Sequence, residues 1–234
     1  FPTIFQSYKM KKKLLIPTLL IILGSILCGC LNKISTFAVN NNDSVPGSIP
    51  GHYSVNDHGA AVYHIPIHTP PGTGGMQPNL SVAYNSQSGN GLLGEGWNIS
   101  GFSAITRTSK TIAQDGITGG VNYDQEDRFA IDDQRLIAIQ GDYGADGTQY
   151  RTEIEDWTRY YSYGKCGSGP CSFVAHTPTG HVLEFGVTDD ARIMAQGKKT
   201  EVNIWAANKQ TDKNSNYLSI KYLNNTETGE YYPT

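Results

Sequence analysis

Basic charge is in short supply in this chain. Its 18 Lys and Arg stand against 21 Asp and Glu for a formal charge of -3. No positive field is available to gather phosphates, so nucleic acid is set aside as a main partner. Long runs of strong helix formers are also missing. The 26 glycines, 14 tyrosines and 11 prolines indicate short strands joined by turns, a mostly β class of antiparallel hairpins. Cysteine is scarce: Cys28, Cys30, Cys166 and Cys171 are the full set. None has the paired spacing with histidine that a structural zinc site requires, and no metal or other cofactor is expected. A Gly-x-Ser-x-Gly elbow that would seat a hydrolase nucleophile is absent.

What is present at the N-terminus is an export signal. Met10 and three lysines, Lys11–Lys13, lead into the apolar run Leu14–Leu23, the basic and hydrophobic regions of a signal peptide. Pro17 and the shortness of the run argue against a membrane-spanning helix. The run ends at Leu27-Cys28-Gly29-Cys30, which resembles a bacterial lipoprotein cleavage box, with Cys30 as the lipidated first residue. An ordinary signal peptide cut nearby and a single membrane helix are the alternatives. Residues 1–9 read as an extension upstream of the true start, 10–30 as the signal peptide, and the Asn/Ser/Thr-rich 31–50 as a flexible tether. An exported protein follows, extracellular or anchored at the outer membrane through its lipid.

The body is expected from Gly51 onward. Strand-like runs fall at Ala61–His68, Leu80–Tyr84 and Trp97–Arg107, separated by the turn regions Pro70–Gly75 and Ser88–Gly96. Beyond Lys110 the pattern becomes successive hairpins. The clearest runs from Arg128–Ile131 through Asp132-Asp133-Gln134 to Leu136–Ile139, with apolar residues alternating on both arms. Tyr150–Tyr160 alternates similarly. Phe173–Phe185 turns at Pro178-Thr179-Gly180, and Val202–Ala207 crosses Asp212–Asn216 to Tyr217–Tyr222. Cys166 and Cys171 flank a Gly/Pro-rich loop in an exported chain, which favours a local disulfide. A final strand edge left open would be an aggregation liability, so the chain is expected to continue past Thr234.

The segment from Gly51-His52-Tyr53-Ser54-Val55 through Pro70-Pro71-Gly72-Thr73-Gly74-Gly75-Met76-Gln77-Pro78-Asn79-Leu80-Ser81 to Gly91-Leu92-Leu93-Gly94 and Gly96-Trp97 is dense and idiosyncratic. It resembles the opening signature of the family named after Salmonella virulence plasmid protein B and the B components of insecticidal toxin complexes. The likeness continues through Tyr150–Glu155, Phe173–Phe185 and Trp205–Tyr222. It divides the body into a glycine-rich signature unit, 51–110, and a hairpin region, 111–234. The resemblance implies a non-catalytic part of a large curved β shell, built with tyrosine-aspartate and Rhs-type repeats, that encloses a toxic C-terminal effector. Its partners would be downstream repeats of the same polypeptide and toxin-complex subunits. A different class of reading is a surface lipoprotein whose β domain binds an extracellular glycan or protein.

Sharper motifs resolve into turns and solvated strand faces. Gly89–Gly94 matches a dinucleotide glycine pattern, yet Glu95-Gly96-Trp97 is poor helix material and the pattern needs a helix there. Pro70–Gly75 lacks the Gly-Lys-Ser/Thr of a phosphate loop. Asp142 and Asp146 lack the rest of a calcium loop. His64 and His68 have no third ligand nearby in sequence. Glu153 and Glu155 would share one face of a strand, as a Glu-x-Glu ADP-ribosyltransferase pair requires. The Ser-Thr-Ser strand of that chemistry is not supplied by Arg107-Thr108-Ser109, and in relatives such a domain lies far downstream.

Overall fold

Alternation of apolar and polar side chains with a period of two, broken by glycine, proline and Asx turns, is what this chain has to build with, and it builds two antiparallel layers. The computed structural model describes residues 49–56 and 59–234. The leader, the tether up to Ser48 and the lipidation site expected at Cys30 lie outside the described residues.

The first layer holds β1 (His52–Val55), β2 (Ala61–Pro66), β3 (Ser81–Asn85) and, after the two-residue strands β4 (Asn90–Gly91) and β5 (Gly94–Glu95), β6 (Trp97–Ser100). Its strand order is β1-β2-β3-β6. Pro70–Gly75, set aside above as a phosphate loop, contains a short 3-10 turn at Thr73–Gly75. Gly89–Gly94 spans the β4–β5 hairpin, and strand β6 follows it.

The second layer curls into a barrel. Strands β7 (Ala104–Thr108), β8 (Arg128–Ile131), β9 (Gln134–Gln140), β10 (Gln149–Thr152), β11 (Arg159–Tyr163), β12 (Ser172–His176) and β13 (Val182–Phe185) pair in sequence. The circuit closes through β15 (Lys198–Thr211). Its centre pairs with β7 at Ile204–Ala206, and its far half pairs with β13 at Ala207–Thr211. β14 (Arg192–Ala195) and β16 (Tyr217–Ser219) flank β15, and β17 (Tyr222–Asn224) with β18 (Tyr231–Pro233) form a last hairpin. A one-turn helix, α1 (Ile112–Asp115), lies between β7 and β8.

The barrel is filled by side chains. Phe129, Phe173 and Trp205 meet edge to face, with centroids 5.2 to 5.4 Å apart, and Ile105, Leu136, Tyr150, Phe185 and Val202 are among the buried residues packed with them. Such ring geometry aligns positive edges with negative faces. The hairpin between β8 and β9 turns on Asp132 and Asp133, with φ of 45° and 66°. Both central residues are left-handed, as a two-residue hairpin matched to strand twist demands.

Two expected runs are interrupted. Trp97–Arg107 is not one strand: it leaves the first layer after Ser100 and re-enters as β7 at Ala104. Gly101 makes the switch at φ +110°, and a Cβ there would lie 2.2 Å from the Asn79 carbonyl oxygen, so the crossing depends on a residue without one. Tyr150–Tyr160 is likewise two strands, β10 and β11, joined by the loop 153–158. Asp156 accepts from the Thr152 hydroxyl and the Thr158 amide, an Asx turn that diverts the backbone from the ladder.

Candidate assembly face

Cross-strand register sorts the first layer into two unlike faces. Tyr53 stands opposite Tyr63, Tyr63 opposite Tyr84, and Tyr84 opposite Trp97, an aromatic row crossing all four strands. Residues directly opposite in antiparallel strands share a face. Two residues along, Ile65, Val82 and Ile99 form a second row on that same face, and Val55 and Ala61 form a third. The reverse face carries His52, His64, Ala83 and Asn98 in one row and Pro66, Ser81 and Ser100 in another.

An amphipathic sheet normally buries its apolar face. Here no residue of β1, β2, β3 or β6 is buried. Tyr53 is 68% and Val55 59% exposed. Where the apolar face approaches the barrel flank, Ile67, Leu80, Ile99, Phe102, Leu218 and Ile220 line an open cleft of about 350 Å³. The Tyr84 and Trp97 rings lie 5.1 Å apart, tilted at 46°, so the row is already packed along itself. The face offers uncharged contact area.

One end of the barrel is closed by a buried ionic cluster that sequence reasoning passed over. The Arg107 side chain donates through Nε to the Val202 carbonyl (2.7 Å) and through Nη1 to Asp127 (3.0 Å). Nη2 donates to Ser168 and Glu201, both at 3.3 Å. Its guanidinium also lies about 6 Å from the Tyr123, Phe129 and Trp205 rings. Burial pushes the Glu201 carboxyl up. The Ser168 hydroxyl and amide, with the Arg107 charge, outweigh that and hold it below the usual carboxylate range. Arg107 follows Ile105 by two on β7, and both are buried; a cation at an inward strand position implies buried partners, and that was the signal available.

Cys166 and Cys171 are joined in a disulfide, Cα to Cα 4.7 Å, and the loop it closes sits on this cluster. Ser168 donates to Glu201 through its amide (2.8 Å) and its hydroxyl (2.6 Å), while Trp205 Nε1 donates to the Pro170 carbonyl (3.1 Å).

The remaining candidate residues do not converge. Glu153 and Glu155 lie in the loop between β10 and β11 rather than on a strand face. Glu153 accepts from Gln114, and Glu155 accepts from Arg159 at 2.9 Å with Arg151 at 3.8 Å. His64 lies in β2, whereas His68 lies beyond its end. Asp142 and Asp146 belong to the β9–β10 connection, where the Asp142 carbonyl accepts from Thr148 and the Asp146 carboxylate from the Gly164 amide.

Solved structures share this fold. The crystal structure of TcdB2-TccC3 superposes with a TM-score of 0.63 at 20% identity, covering 79% of this chain and 10% of that one. The Photorhabdus luminescens Tc holotoxin pore (TccC3-D651A) gives 0.61 at 18%, covering 80% and 10%. The N-terminal domain of effector protein SpvB from Salmonella typhimurium strain LT2 gives 0.54 at 22%, covering 69% and 54%. The chain thus spans about a tenth of the toxin-complex chains and about half of the SpvB domain. A comparison with curated proteins returned no match. The model of one family, described as Salmonella virulence plasmid 65kDa B protein, matches residues 55–232, and the chain belongs to that SpvB family.

Proposed function

We propose that this chain is a non-catalytic wall domain of an exported toxin-type protein, and that it helps enclose or deliver an effector carried elsewhere in the assembly. The observation that carries this reading is the aromatic face. A sheet whose uncharged side has no buried residue, and whose edge residues Tyr53 and Val55 are more than half exposed, is built to be covered, and a shell assembled from packed β layers supplies the cover. Family membership and the toxin-complex neighbours support the same reading. Export, with or without a lipid on Cys30, is part of the proposal, as is the division into a signature unit at 51–110 and a hairpin region at 111–234.

A binding module is the second reading, favoured by a cleft of about 510 Å³ whose lining includes Tyr222, Tyr231, Tyr232, Asn90, Asn98 and Glu230. Rings with amides and a carboxylate suit a glycan.

The test begins with the reading frame downstream of the Thr234 codon, followed by limited proteolysis of the complete gene product. A shell predicts repeats, a protease-resistant body and a retained C-terminal segment, which a Tyr53→Lys, Val55→Lys pair releases. An early stop codon with no retained segment would sink the shell reading and leave the glycan module to be tested on immobilised sugars.

A further inference from the structure

We infer that the Cys166–Cys171 disulfide is a redox-operated latch on the end of the barrel, holding the loop 166–171 as a plug over the buried Arg107 cluster. The inference stands apart from the shell reading.

Four observations converge on it. The plug is attached to the interior through the two Ser168 bonds to Glu201 and the Pro170 carbonyl that satisfies the indole of Trp205. Beneath it the Arg107 side chain is 0% exposed, so any lifting of the loop hydrates a buried cation and strips the indole of its acceptor. Both cysteines are only partly buried, as exchange with an attacking thiolate requires. Gly169 lets the loop lie this close, since a Cβ there would stand 2.7 Å from Arg107 Nη2.

The chemistry is thiol–disulfide exchange with a dithiol reductant. One reductant thiolate attacks a cysteine sulfur, the Sγ–Sγ bond breaks, and a mixed disulfide forms. The second reductant thiol then displaces that cysteine, so two electrons and two protons pass to the protein. The products are two free cysteine thiols and the oxidised cyclic reductant. Releasing a clasp across so short a loop lowers its closed-to-open ratio about 30-fold in the chain-entropy description. The barrel strands keep their own ladders, so the opening is local. The end of the barrel is sealed in oxidising surroundings and unsealed in reducing ones.

Trp205 is the reporter. In the full chain carrying Trp97→Phe and Trp157→Phe, acrylamide quenching is read before and after dithiothreitol, alongside a thiol count and far-ultraviolet circular dichroism. A several-fold rise in the Trp205 quenching constant is expected, with the strand signal intact and full reversal on reoxidation. A Cys166→Ser, Cys171→Ser pair should show the raised constant without reductant. Two thiols gained with quenching unchanged would overturn the latch. So would loss of the strand signal together with the quenching change, because the disulfide would then hold the whole barrel rather than its end.

Discussion

At the scale of single residues, Arg107 reaches five acceptors from one buried guanidinium. Arg107 and Asp127 have side chains 0% and 1% exposed, and such a pair is far more costly to halve than to replace. Arg107→Leu should therefore destabilise the protein by about 3–5 kcal/mol in urea unfolding, since Asp127 keeps only the Asn122 and Tyr123 amides. This cluster and a separate one, in which Asp115 pairs with Arg128 and Arg135, set a pH dependence. Glu201 titrates below its ordinary 4.5 and Asp115 below its ordinary 3.8. Burial raises Asp115, and bonds from Arg135, Thr111 and Arg128 outweigh it. A carboxyl depressed in the folded state contributes stability that is complete above the unfolded value and is lost as pH falls through the folded one. The urea midpoint should hold near neutrality and decline as pH drops below 4.5, with a shallower decline in Glu201→Gln. A midpoint independent of pH down to 3 would contradict this assignment. None of the cluster was legible as a cluster, because Arg107, Asp127, Ser168 and Glu201 are spread over nearly a hundred residues and meet only when the barrel closes.

Elements were legible where local chemistry alone decides them. The Asp132-Asp133 turn lies between two alternating arms, and Asp212, accepting from the Asn214 and Asn216 amides, caps its turn within five residues. Elements were misread where alternation runs on through a break. Trp97–Arg107 keeps the composition of one strand, yet Gly101 carries it from one sheet to the next. Gly101→Ala combines a positive φ with a backbone contact that cannot yield, and should lower stability by about 1–3 kcal/mol, read from the urea midpoint. Loss near zero would mean that the crossover can shift without strain. The loop 153–158 was missed for a related reason. Its residues suit a strand, but Asp156 and a left-handed Trp157 at φ 65° end the ladder there. The Glu-x-Glu geometry that a continuous strand would have provided is gone with it.

For the whole molecule, the β class and the family could be read from composition and from the glycine-rich signature, whereas closure of the barrel could not. Closure depends on β15 serving β7 with its centre and β13 with its far half, contacts set by strand curvature and not by pattern. The aromatic face was hidden similarly: Tyr53, Tyr63, Tyr84 and Trp97 are scattered until register aligns them. The two layers are also unequal in what holds them. The barrel encloses a continuous core, while Ala60 is the one buried hydrophobic residue of the described chain before Ile105. Local opening free energy follows buried apolar contact, so the four-stranded layer should open without the barrel. Hydrogen exchange of the isolated chain should find the amides of β2 and β3 at least about tenfold less protected than those of β8, β12 and the centre of β15. Equal protection would mean that the layers unfold as one and that the aromatic face needs no cover to be stable. Where the reading frame continues past Thr234, a gap that shrinks in the longer product would locate that cover on the first layer.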